Sequence, residues 1–156
     1  MEPFVSSFQN KIDKKGRVSV PAAFRTILDR DVQADGVHQV FCYPAIEAPA
    51  VECGGVPLLS KIYQLLEDLP PYSEERDVLS TALFGGSLQL KIDSDGRIII
   101  PDEMREHANL TDYVTFVGMG DKFRIWSPEL FASYMAEARE KAIEHRKLFG
   151  MKYDRK

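Results

Sequence analysis

One segment of this chain occurs twice. Residues 11–25 read Lys-Ile-Asp-Lys-Lys-Gly-Arg-Val-Ser-Val-Pro-Ala-Ala-Phe-Arg, and residues 91–105 read Lys-Ile-Asp-Ser-Asp-Gly-Arg-Ile-Ile-Ile-Pro-Asp-Glu-Met-Arg. Seven of the fifteen positions are identical: Lys11/Lys91, Ile12/Ile92, Asp13/Asp93, Gly16/Gly96, Arg17/Arg97, Pro21/Pro101 and Arg25/Arg105. Average amino-acid usage would give roughly one by chance. Val18/Ile98, Val20/Ile100 and Phe24/Met104 also agree in apolar character. A fold for this chain must therefore use one backbone plan twice. Its 156 residues suffice for one compact domain or for two small halves sharing a core.

The repeated unit reads as strand, turn, strand, short helix. Residues 8–12 and 17–20 have strand character and are joined at Asp13-Lys14-Lys15-Gly16. Gly16 supplies the positive φ of a tight turn, and Asp13 can accept from backbone amides ahead of it. Beyond the turn, Arg17 and Ser19 share one face and Val18 and Val20 the other. Pro21 opens a helix whose inner stripe is Phe24, Ile27 and Leu28. In the second copy Asp93-Ser94-Asp95-Gly96 is the turn, Ile98 and Ile100 continue the strand, and Pro101 opens the helix. Gly16, Gly96, Pro21 and Pro101 carry structural roles.

Between and after the copies the pattern changes. Gln39 to Tyr43 reads as a strand, and Pro44 to Val56, broken by proline and glycine, as an irregular connection. Leu58, Ile62, Leu65, Leu66 and Leu69 mark a helix that Pro70-Pro71 stops. Ser73 caps a second helix with Val78, Leu79, Ala82 and Leu83 inward, closed by Gly85-Gly86. Residues 113–117 and 122–126 form a hairpin. Ser127-Pro128-Glu129 starts a long helix to about Phe149, with Phe131, Met135, Ala138 and Ala142 along one side. The tail from Met151 to Lys156 carries no pattern and is expected to fray.

The net charge of −4 argues at first against a nucleic-acid partner, but the charge is unevenly spread. Residues 11–17 hold four cationic side chains and one acid, a local +3. Residues 29–79 are locally −7, and residues 139–156 are locally +4. Screening at physiological salt acts over about 8 Å, so the local patch decides phosphate binding.

The sequence offers little for catalysis. His38, His107 and His145 are remote from Cys42 and Cys53, and no metal-ligand spacing, nucleophile elbow or glycine-rich phosphate loop occurs. His107 matches the core-facing Ile27 of the first copy and reads as structural. No enzyme activity, metal or cofactor is implied. The N-terminus lacks the pattern of a signal peptide, no apolar run is long enough to span a membrane, and two unpaired thiols suit a reducing compartment. A cytoplasmic location follows as the expectation.

What the repeat does offer is chemistry for an anionic partner. Arg17 presents a planar fork of donors suited to phosphate or to the O6/N7 edge of guanine. Lys14 and Lys15 on the turn, and Lys11 beside it, suit backbone phosphates. Asp13 can orient the arginine or stabilise the turn. Arg97 is the weaker counterpart, because residues 91–97 sum to zero charge. Arg25 and Arg105 leave three roles open: packing, pairing with an acid, or reaching a phosphate.

With Tyr43-Pro44 after the middle strand and Val117-Gly118-x-Gly120-x-Lys122-Phe123-x-Ile125-Trp126 late in the chain, the paired Asp-x-x-Gly-Arg units resemble the MraZ family along nearly the whole sequence. The resemblance implies an α+β fold, a double AbrB-type swapped-hairpin β-barrel with helices between the repeats and at the C-terminus. Residues 1–156 would form a single domain. The first repeat would occupy about 5–54, a helical pair 55–86, the second repeat 87–130 and the C-terminal helix 128–149. It also implies a nucleoid-associated transcription regulator that joins into homo-oligomeric rings. Such a regulator would bind short direct repeats of double-stranded promoter DNA in the division and cell-wall gene cluster. DNA contact would fall on Asp13, Lys14, Lys15 and Arg17. Two other functions remain open: an antitoxin-like regulator built on the same hairpin, and a ring-forming scaffold that binds protein rather than DNA.

Overall fold

A computed structural model describes residues 2–30 and 38–153, with side chains described to residue 150. The architecture is α+β. The first half contains β1 (Ser7–Lys11), β2 (Arg17–Ser19), α1 (Ala22–Asp29), β3 (Gln39–Pro44) and β4 (Val51–Gly54). Next come α2 (Val56–Glu67), α3 (Glu74–Ser80) and a single π-helical turn, Thr81–Gly85. The second half contains β5 (Leu88–Lys91), β6 (Arg97–Ile99), α4 (Asp102–Ala108), β7 (Tyr113–Gly118) and β8 (Phe123–Trp126), followed by α5 (Pro128–His145) and α6 (Lys147–Tyr153).

The two halves are interleaved. One six-stranded sheet runs β1-β7-β8-β4-β3-β5, and β2 pairs with β6 in a separate two-stranded ribbon. Every pair is antiparallel, and four of the six ladders join one half to the other: β1 with β7, β3 with β5, β4 with β8, and β2 with β6. At the ends of the ribbon the exchange is reciprocal. Val20 N–H donates to Gly96 O at 2.9 Å, and Ile100 N–H donates to Gly16 O at 2.8 Å. Neither half satisfies its own backbone, and an unpaired buried amide is costly, so each half needs the other. The strand pairing thus gives two open sheets rather than the one closed barrel expected from the sequence.

The main core lies beneath this interleaved sheet. Val18, Val20, Ile98 and Ile100 point inward from the ribbon to meet Val114, Phe116, Phe123 and Ile125. Phe24, fully buried on α1, sits among aromatic rings, 4.8 Å from Phe123, 5.3 Å from Phe4 and 5.4 Å from Phe8 between centroids. Met104 fills the matching position on α4. A second cluster packs Leu58, Ile62 and Leu66 of α2 on Phe41 and Tyr43 of β3. Nearby, the buried Glu52 carboxylate accepts from Tyr43 Oη, from Lys122 Nζ at 2.9 Å and from Arg124 Nη2 at 2.8 Å. Burial alone would push its pKa up, but the donors from Tyr43, Lys122 and Arg124 hold it below the usual carboxylate value.

Several expectations need correction. Residues 44–56 are not wholly irregular, because Val51–Gly54 is strand β4 in the middle of the sheet. All four of its residues are buried, which erases the alternation that marks a half-exposed strand. Leu65 is 59% exposed and lies off the inner stripe of α2, while Val78 in α3 and Ala82 in the π-helical turn are also exposed. Pro21 and Pro101 stand at the N-caps, one residue before their helices. The long C-terminal helix breaks at Arg146, and Ala142 is exposed, so its apolar stripe is half-buried only at Phe131, Met135 and Ala138. Of the tail expected to fray, residues 151–153 continue α6 and residues 154–156 lie outside the described residues. Ser73 and Ser127 do cap their helices, accepting from Arg76 N–H and Leu130 N–H. His107 bonds the carbonyl of Ala48 in the other half at 3.1 Å, a structural role.

The packing separates two leucine-or-larger sites that the sequence alone would rank together. Phe24→Ala removes a ring at the centre of the core and is expected to cost about 3–5 kcal/mol. Leu65→Ala is expected to stay within about 0.5 kcal/mol of the parent. Urea denaturation of both variants checks the pair, and comparable losses would contradict this assignment of inner and outer faces.

Candidate nucleic-acid interface

The first turn is built around one carboxylate. Asp13 Oδ1 accepts from the backbone N–H of Lys15 and of Arg17, each at 2.9 Å. Asp13 N–H donates to Arg17 O, and its carbonyl accepts from Gly16 N–H, both at 3.0 Å. Gly16 has φ +89°, a left-handed conformation that a side chain would strain. The second carboxylate oxygen accepts from Arg17 Nε at 2.7 Å, which sets the direction of the guanidinium. Asp13 therefore serves both roles foreseen for it, stabilising the turn and orienting the arginine. Lys11, Lys14, Lys15 and Arg17 are all exposed.

The second turn repeats the backbone but not the charge. Asp93 Oδ1 accepts from Asp95 N–H and Arg97 N–H at 2.9 Å, and Gly96 has φ +78°. Arg97, however, donates from Nη2 to Asp95 Oδ2 at 2.9 Å and has Asp93 Oδ2 at 3.6 Å from Nε. The side chains of Arg17 and Arg97 are similarly exposed, 43% and 40%. Access does not distinguish them. Two acids at Arg97 against one at Arg17, and two lysines against Ser94-Asp95, do.

The ribbon brings the two turns together, although eighty residues separate them. Its register pairs Arg17 with Ile99, Val18 with Ile98 and Ser19 with Arg97. Directly opposed residues of an antiparallel pair share a face. Arg17, Ser19, Arg97 and Ile99 consequently form one outer face, and Val18 and Ile98 lie beneath. Ile99, 58% exposed in the middle of that polar face, is a residue the sequence reading passed over. Its only signal was an apolar side chain at the register position where the first copy has Ser19. Among the described residues no three His, Cys, Asp or Glu side chains group as a cation site. No described helix is long and apolar enough to cross a membrane.

Comparison with known proteins places this chain in a family. A family model described as "MraZ protein, putative antitoxin-like" matches residues 83–148. A protein of Beijerinckia indica is 48% identical over 147 residues, covering 94% of this chain and 87% of its own. One of Azorhizobium caulinodans is 44% identical over 150 residues, covering 96% and 93%, and one of Rickettsia bellii is 43% identical over 147 residues, covering 94% and 95%. Each is named Transcriptional regulator MraZ.

The chain belongs to the MraZ family.

In this MraZ chain the electrostatics of the first turn can be read from Asp13. The N–H and guanidinium of Arg17, then the N–H of Lys15, hold its carboxyl down to about 2 from 3.8, against a smaller opposing effect of burial. Asp93 is also lowered, chiefly by the N–H of Arg97. A folded pKa below the unfolded one means that the stabilising contribution is complete above the unfolded value. It is then lost as pH falls from about 3.8 through about 2. An NMR titration of the Asp13 carboxyl in the full chain should show a midpoint near 2. In Arg17→Ala the midpoint should rise but stay below 3.8, because the N–H of residue 17 still donates. A midpoint at the ordinary value in the parent would mean that the turn does not close in solution.

Proposed function

We propose that this chain is a sequence-specific DNA-binding regulator of transcription, meeting double-stranded promoter DNA with the outer face of the β2–β6 ribbon. The observation that carries this reading is the first turn: Lys14, Lys15 and Arg17 stand exposed at one end of a two-stranded ribbon, on a backbone fixed by Asp13. A two-stranded ribbon fits the major groove, where an arginine fork can bind guanine O6 and N7. Lys11, Lys14 and Lys15 supply phosphate contacts that set affinity and register. Asp13 acts through the turn, since its own charge is repelled by phosphate. Arg97 contributes less, because its two neighbouring acids must be displaced before it meets an anion. The name that the relatives share, transcriptional regulator, supports the same reading.

Three finer parts belong to the proposal. The exchanged strands, with each half's first strand hydrogen-bonded to the other half, support a double AbrB-type swapped-hairpin fold within a single domain. Self-association into a ring accords with exposed apolar side chains in opposite charge settings. Tyr63 and Leu65 lie near the acids of residues 67–77, and Ile143, Leu148 and Phe149 lie near Arg146 and Lys147. One loop of charge +3 gives little affinity, but a ring presents it many times, and direct repeats spaced by about one helical turn, roughly 10 bp, let neighbouring subunits bind together. The target would be such repeats in the promoter of the division and cell-wall gene cluster.

Titration of the full chain against a duplex carrying its own upstream repeats tests this at several salt concentrations. Arg17→Ala should weaken binding by about tenfold or more, the loss of one bidentate base contact. Lys14→Gln should weaken it less and flatten the salt slope by about one. Undiminished affinity in Arg17→Ala would sink the assignment of the turn. A stable oligomer that retards no DNA even at low salt would favour the scaffold reading instead.

A further inference from the structure

The repeated pair Arg25 and Arg105 lies outside the reading face, and each guanidinium packs against the turn glycine of the other half. Arg105, on α4, reaches across to the first turn, where Nη1 donates to Lys14 O at 3.1 Å. Nη2 pairs with Asp102 on its own helix. A Cβ placed on Gly16 would lie 3.1 Å from Arg105 Nε and 3.2 Å from its Cζ, as well as 2.4 Å from Ile100 O. In the mirror position a Cβ on Gly96 would lie 2.5–2.8 Å from the guanidinium of Arg25, whose Nε donates to Val20 O at 3.1 Å. Glycine at each turn thus does two things: it takes the positive φ, and it leaves room for the other half's arginine.

We infer that Arg105 is a positioning residue for the DNA-facing turn of the opposite half. It acts through the peptide between Lys14 and Lys15. The oxygen of that peptide accepts from the Arg105 guanidinium, and its N–H donates to the Asp13 carboxylate at 2.9 Å. A peptide unit is planar, so charged partners at both ends fix its orientation. That orientation directs the two lysine side chains that flank it. Arg105 is poorly placed to bind phosphate itself. Its side chain is only 21% exposed, half that of Arg17, and Nε is buried against Gly16 with no partner. Nη1 and Nη2 are already engaged.

This inference rests on the DNA-binding reading for its consequence but not for its geometry, and the experiment separates the two. In the DNA-free full chain, Arg105→Gln should speed amide exchange at Lys15 and Arg17, whose N–H groups bond Asp13. Val114 in the core should keep its protection, which distinguishes a loosened turn from a destabilised fold. With the repeat-bearing duplex, Arg105→Gln should lose about tenfold in affinity, the order expected for a charged hydrogen bond. The salt slope should stay as in the parent, and Arg105→Lys should recover part of the loss. Unchanged exchange at Lys15 and Arg17 would overturn the inference, and so would a salt slope reduced by about one, which would make Arg105 a phosphate contact. A parent chain that fails to bind the duplex would sink the functional reading, while the exchange result would still decide the brace.

Discussion

Two hydrogen bonds lock the ribbon that the two repeats share: Val20 N–H to Gly96 O, and Ile100 N–H to Gly16 O. Each joins the end of one half's second strand to the turn glycine of the other. They hold the ribbon in the register that buries Val18, Val20, Ile98 and Ile100 and leaves Arg17, Ser19, Ile99 and Arg97 outside. A slip of either strand by one residue would reverse that strand's faces, removing its two β-branched side chains from the core and pointing its arginine inward. The folding constraint and the presentation of the face proposed to meet DNA are therefore the same constraint.

That coupling explains which parts of the account could be read from the chain and which could not. The repeat, the Asp-x-x-Gly-Arg turns, the serine caps and the alternation of Arg17 and Ser19 against Val18 and Val20 are local, and local signals survive in sequence. Partner choice is not local. A hairpin that pairs with itself and one that pairs with a copy eighty residues away have the same alternation, so the exchanged ladders could only be inferred from resemblance. Val51–Gly54 was hidden for a different reason, since a strand buried on both faces has no period to detect. Leu65 misled because a leucine-rich helix offers more apolar positions than one face can bury. Ile99 and Arg105 gain their meaning only from the opposite half.

The same scaffold also separates two turns that look alike. Asp13 and Asp93 organise their backbones identically, and the arginines that follow are equally exposed. Selectivity lies in the two residues between. Lys14-Lys15 extend the cationic surface around Arg17, whereas Asp95 pairs with Arg97 at the surface. A pseudo-symmetric ribbon with equal turns would suit a palindrome. One cationic turn, and Ile99 where its mate has Ser19, make the face directional, which accords with direct repeats.

The most direct measurement of this account is a backbone amide map of the full chain with and without a repeat-bearing duplex. The largest shifts should fall on residues 14–17, with smaller ones at Ser19, Arg97 and Ile99, and none in the Tyr43–Glu52–Arg124 network. Shifts centred on α2 and α3, with the ribbon unmoved, would contradict it.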